Sequence, residues 1–217
     1  MVAKLAQISD RFVKEVVLLR TIFEENPRVL PYDGIWLDLH ALPAQSYALI
    51  RLHDAWARYC RTLILASAAG KAETRSGVYV PPSPLISTQG NALLALRATF
   101  SPRQQRRVFW EPDWYKPHEA IEAATRLMVS NIASVNSLGA VTPGAIGDTT
   151  EDLRVCRNCL AHRSEQSNKQ VNNLRLRLAV SVDTDILEIA DSPVAGGATL
   201  FRRWCFDLAN RARNATN

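Results

Sequence analysis

Apolar residues recur at three- and four-residue steps through most of this chain, and those steps mark its helices. Over residues 2–25 they are Leu5, Ile8, Phe12, Val16, Leu19 and Phe23, an amphipathic stripe that stops before Asn26-Pro27. Pro27, Pro31, Gly34 and Pro43 break residues 26–43. Within them Ile35, Leu37 and Leu39 alternate with Trp36, Asp38 and His40, which allows a short extended piece. Residues 44–69 predict a long helix with Leu49, Leu52, Trp56, Tyr59, Cys60, Leu63 and Ile64 inward, closed by Gly70. Glycine and proline make 70–90 a loop, and a shorter helix follows at about 91–100.

Pro117 suits the first turn of the next helix, whose stripe of Ala120, Ala124, Leu127, Met128, Ile132 and Val135 carries it to about Leu138. Gly139, Pro143, Gly144 and Gly147 then turn the chain into a helix that Asp148, Thr149 or Thr150 can cap, so these two helices are expected to form an antiparallel hairpin. Beyond a polar stretch from Ser164 to Asn173, Leu174, Leu176, Leu178, Val180 and Val182 alternate with smaller or polar residues as a strand would. A strand there needs a partner, for which 35–40 is the candidate, yet Leu174 and Leu178 also step by four, so strand and helix both stay open. Gly196-Gly197 precede a last helix over 199–213, with Leu200, Trp204, Cys205 and Leu208 on one face. The expected architecture is an all-α, antiparallel helical bundle in one domain spanning 1–217. The irregular or β segment near 174–182 is left open.

Composition narrows this only a little. A 217-residue chain with 47% hydrophobic residues is long enough to bury a substantial core. No apolar run reaches the length of a membrane span, and the charged N-terminus (Lys4, Asp10, Arg11) lacks a signal-peptide core, so a cytoplasmic protein with no membrane partner is expected. Cys60, Cys156, Cys159 and Cys205 are then expected as reduced, packed thiols. The net charge is +5, and only five of 26 basic residues are lysines. Arginine's planar fork suits phosphate and bases, although a GC-rich genome yields the same bias.

Candidate chemistry concentrates in Arg154-Val155-Cys156-Arg157-Asn158-Cys159-Leu160-Ala161-His162-Arg163. At 100° per residue Asn158 and His162 share a helix face, Arg154 lies one turn earlier on it, and Arg157 sits alongside. An imidazole flanked by guanidinium groups suits work on a phosphodiester. Histidine can take the proton of a ribose 2′-OH, arginine can bind the phosphate oxygens, and asparagine can orient either. The plainer alternative is that Arg157 and His162 only finish a helix at its negative end. Cys156-x-x-Cys159-x-x-His162 lacks the second Cys/His pair that structural zinc uses, and Leu160 stands where haem attachment needs histidine. No metal and no cofactor are expected. Arg103, Arg106 and Arg107 run into Trp110, Trp114 and Tyr115, which reads as a nucleic-acid contact or as a structural crossover packing its tryptophans. His53-Asp54 on the long second helix faces either the central helix or solvent.

Arg157-Asn158-x-x-x-His162 resembles the R-N-x-x-x-H motif of the HEPN superfamily (higher eukaryote and prokaryote nucleotide-binding domains), over a helical core of about 44–180. The resemblance implies a HEPN-like bundle on which the helices at 2–25 and 199–213 pack. It further implies a metal-independent endoribonuclease that leaves 2′,3′-cyclic phosphate and 5′-OH ends. Arg157, Asn158 and His162 would be catalytic, and Arg154, Arg163, Arg103, Arg106 and Arg107 would bind the RNA. Such proteins pair their motif helices across a two-fold axis, which implies a homodimer. Many act as toxins or phage-defence effectors restrained by an antitoxin or other regulatory partner protein. Two alternatives remain: a HEPN-like module that binds a nucleotide or a partner without cleaving, and an unrelated helical adaptor.

Overall fold

A computed structural model describes residues 3–25, 41–70, 72–86, 91–101, 111–140, 147–162, 164–194 and 196–217. The extended piece expected at 35–40 lies outside these residues. The fold is all-α. Its helices are α1 (Leu5–Glu24), α2 (Ala41–Ala69), α3 (Ala92–Ala98), α4 (Pro117–Arg126), α5 (Ile132–Val135), α6 (Thr149–His162), α7 (Glu165–Leu178), α8 (Ile186–Asp191) and α9 (Leu200–Asn214), with a 3-10 turn at Asn136–Gly139. The chain divides into two compact units. One comprises Met1–Val13, Trp56–Thr142 and Ala209–Asn217, the other Lys14–Ala55 and Pro143–Leu208, and α1, α2 and α9 give residues to both.

In the first unit Phe12 stacks on Tyr59 at 4.8 Å and tilts against Trp56 at 5.7 Å. These rings are buried, but their polar ends are met: Tyr59 Oη donates to the Ala212 carbonyl at 2.8 Å and Trp56 Nε1 to that of Tyr115 at 3.0 Å. Three two-residue strands close the unit. β1 (Ala3–Lys4) runs parallel to β2 (Ala72–Glu73), with Ala3 opposite Ala72, and β2 pairs antiparallel with β3 (Tyr79–Val80).

The long helix expected from Pro117 to Leu138 is broken. It ends at Arg126; Met128 takes φ 50° and stands exposed, and α5 with its 3-10 turn follows separately. The reason lies in Leu127-Met128-Val129. A continuous helix cannot turn three consecutive side chains to one core, whereas the turn buries Leu127 and Val129 and turns Met128 out.

The second unit is built on Val16, Leu19, Phe23, Leu49 and Leu52 together with Leu153, Cys156, Val171, Leu174 and the apolar face of α9, where Phe23 stacks on Phe201 at 4.1 Å. Within it α6 packs chiefly on α7, the helix that follows it. Residues 174–178, which the alternation left open, are helical. Val171 and Leu174 are buried while Leu176 is exposed, so the burial has a helix's period rather than a strand's. Ala179 ends the helix in the left-handed conformation (φ 54°), and 179–184 is irregular. α8 starts at a reciprocal capping box formed by Asp185-x-x-Glu188.

Candidate functional site

The start of α6 is fixed by its own side chains. Asp148 caps it, its Oδ1 accepting from the Thr150 N–H at 3.0 Å and the Thr150 hydroxyl at 2.8 Å. Gly147 precedes the cap at φ +74°, and a Cβ there would lie 2.6 Å from Arg177 Nη1. Arg177 comes from α7 and donates to Oδ1 of the fully buried Asp152, tying the two helices together. Burial pushes the Asp152 carboxyl up to about 6, outweighing the opposite pull of Arg177.

One turn on, Arg154 is aligned along the helix by Glu151, which accepts from its Nε at 2.8 Å and its Nη2 at 2.5 Å. Arg157 behaves differently. Its Nη1 donates to Asn158 Oδ1 at 3.2 Å and lies 3.4 Å from His162 Nε2, so the three motif residues form one hydrogen-bonded group. Arginine has no lone pair to offer, so this contact needs an unprotonated Nε2. Among the described residues neither Arg157 nor His162 has a carboxylate within ion-pair distance.

Arg154, Asn158 and His162 form one side of a cleft of about 420 Å³, and Ser164, Gln166, Ser167 and Gln170 form the other. The second side exists because the chain reverses immediately after α6. Ser164 caps α7 by accepting from the Ser167 N–H at 3.1 Å, while the Ser167 hydroxyl accepts from the Ser164 N–H at 2.8 Å. This box occupies both serines; Gln166 and Gln170, four residues apart on α7, make no side-chain hydrogen bond among the described residues.

His53 on α2 also belongs to these surroundings. It is buried, with Nδ1 3.2 Å from Asp54 Oδ1, and its proton affinity is lowered, chiefly by burial and then by the positive charges of Arg157 and Arg154. Asp54 opposes that shift.

The other expected residues fall into two groups. Arg163, Arg103, Arg106 and Arg107 lie outside the described residues. Of the aromatic stretch after them, Trp114 is buried and donates to Glu111 at 2.8 Å, and Arg61 grips that carboxylate at 2.6 and 3.0 Å, so this part is a structural crossover. Cys156 is fully buried and its thiol is pushed well up by burial, while Cys159 is half-buried. Among the described residues no group of three His, Cys, Asp or Glu side chains is placed to hold a metal ion. No helix there is long and apolar enough to cross a membrane.

No family model, curated protein or solved structure matches this chain. The site therefore has to be read from its own geometry. That geometry is an imidazole within hydrogen-bonding reach of a guanidinium, beside a cleft whose lining among the described residues holds no carboxylate, and it suits a phosphate ester.

Proposed function

We propose that this chain is a metal-independent endoribonuclease of HEPN type, acting in the cytoplasm as a toxin or phage-defence effector. The observation that supports it best is the hydrogen-bonded group of Arg157, Asn158 and His162 on an exposed helix end. His162 with a lone pair on Nε2 can take the proton from a ribose 2′-OH. O2′ then attacks the phosphorus, the 5′-oxygen leaves, and the products are a 2′,3′-cyclic phosphate and a 5′-OH. Arg157, whose guanidinium reaches that nitrogen, donates to the phosphate oxygens as charge builds on them. Asn158 orients the guanidinium by accepting from it.

Protonation of the leaving oxygen needs an acid while His162 acts as base. Pairing two copies face to face would supply one from His162 of the partner subunit, so the reading includes a homodimer. An antitoxin or other regulatory partner protein would act by covering the same face.

The test is incubation of RNA with the wild type and with His162→Ala in excess EDTA, followed by end-group analysis of the fragments. The wild type should cut and leave cyclic phosphates; His162→Ala should lose about 10²–10⁴-fold in rate while still binding RNA. Equal digestion by the two proteins would assign the cleavage elsewhere. RNA left intact by both would favour a non-catalytic nucleotide-binding or protein-interaction module.

A further inference from the structure

The cleft has two chemically unlike sides, and only one of them is explained by phosphate. Arg154, Asn158 and His162 carry the basic side, whereas α7 offers the carboxamides of Gln166 and Gln170. Four residues apart on a helix, these two stand about 5–6 Å apart at Cβ, side by side along the wall. Ser164 and Ser167 are occupied with each other, so among the described residues the two amides are the polar groups on that wall with hydrogen bonds still to give. A volume of about 420 Å³ is of the size that holds one nucleotide.

Resting on the ribonuclease reading above, we propose that this wall selects the base beside the scissile phosphate, and that the base is adenine. A carboxamide presents a donor and an acceptor together, and adenine offers the matching pair twice, N6–H with N7 and N6–H with N1. Two carboxamides can therefore each take one edge of the same base. Cytosine and uracil offer the donor–acceptor pair on one edge only. Guanine offers a carboxamide N1–H with O6, but its O6/N7 edge carries acceptors alone and is best met by a guanidinium. Among the described residues the lining holds no carboxylate, and its guanidinium, Arg154, is held by Glu151.

The experiment is calorimetric titration of the intact chain, in EDTA, with AMP, GMP, CMP and UMP in turn, so that the readout does not depend on cleavage. AMP should bind about tenfold more tightly than the other three. The double variant Gln166→Ala/Gln170→Ala should bring AMP down to the level of the others with its helical circular dichroism unchanged. Arg157→Ala should weaken all four alike. Equal binding of the four nucleotides, a preference that survives in the double variant, or no binding at millimolar concentration would each overturn the proposal. Adenine selectivity in a chain that cuts no RNA would sink the ribonuclease reading and keep this one. RNA cleavage without base preference would do the reverse.

Discussion

Each compact unit carries a cleft beside a helix with charged side chains, and the two clefts differ in how those charges are spent. In the first unit a cleft of about 300 Å³ is lined by Phe100, Pro112, His118, Glu119, Glu122, Ala123 and Arg126. Its charges close on one another. Arg126 donates to Glu122 at 2.7 and 2.9 Å and to the Thr99 carbonyl at 3.1 Å, and its guanidinium lies 4.4 Å from the Phe100 ring. Glu119 takes Lys116 at 2.8 Å and the Asp113 N–H at 2.7 Å. In the second unit Arg154 is likewise matched by Glu151, but Arg157 and His162 lean on each other and on a neutral amide. The two clefts therefore offer an anion opposite receptions. The first has its charges matched within it, whereas beside the second Arg157 has no carboxylate within ion-pair distance among the described residues.

The largest break in that contrast comes from Arg157. Arg157→Ala removes the unmatched charge, and both RNA affinity and cleavage should fall, cleavage by about 10²–10³-fold. Arg157→Lys restores the charge without the planar fork and should stay at least about tenfold impaired in initial-rate assays. Full activity in the lysine variant would mean that charge alone was needed.

The second unit also titrates differently from the first because of Asp152. Its ordinary value of 3.8 is raised to about 6, so the fold favours the protonated acid. That contribution is whole below pH 4 and is lost as pH rises through 6, amounting to about 3 kcal/mol. His53 runs the other way: its lowered value means that stability is lost as pH falls below the ordinary 6.5. Asp152→Asn keeps an acceptor for Arg177 and removes the ionisation. In thermal melts its stability relative to wild type should climb between pH 4 and pH 7. A difference that stays flat over this range would refute the burial argument.

How much of this could be read in advance depended on whether the signal was local. The cap at Asp148 and the shared face of Arg154, Asn158 and His162 follow from helical spacing, and the structure lines one cleft with those three side chains. Residues 174–178 were ambiguous because Leu174, Leu176 and Leu178 fit both periods. What decided between them was which of the three finds a neighbour, and Leu176 does not. The break at Met128 was hidden for the same reason, since Leu127, Met128 and Val129 all count as apolar whichever way they point. Gln166 and Gln170 lie in a polar stretch with no periodic signal of its own. Their place opposite His162 comes from the reversal at Ser164, whose capping box pairs two serines where the usual signature has glutamate or glutamine second. The link from His53 to Arg157 joins residues a hundred positions apart and has no local trace.

A smaller effect is expected at Asn158. It accepts one hydrogen bond from Arg157 at 3.2 Å, so Asn158→Ala should slow cleavage by about tenfold, a loss of about 1–2 kcal/mol. A loss as large as that of His162→Ala would give the amide a direct part in the chemistry.

The smallest effect tests the contrast from its other side. If the first cleft is inert because its charges are matched, unmatching them should make it attract phosphate without giving it activity. Glu119→Gln/Glu122→Gln retains the side-chain shapes and leaves Lys116 and Arg126 without those two carboxylates. These are partly exposed ion pairs worth about 1 kcal/mol each, so the melting temperature should move little. In a His162→Ala background, RNA affinity should rise a few-fold and its dependence on the logarithm of salt should steepen by about one to two. Cleavage should stay at the His162→Ala level, because added phosphate affinity there brings no base to the 2′-OH. A double variant whose salt dependence equals that of its parent would show that charge matching is not what separates the two clefts.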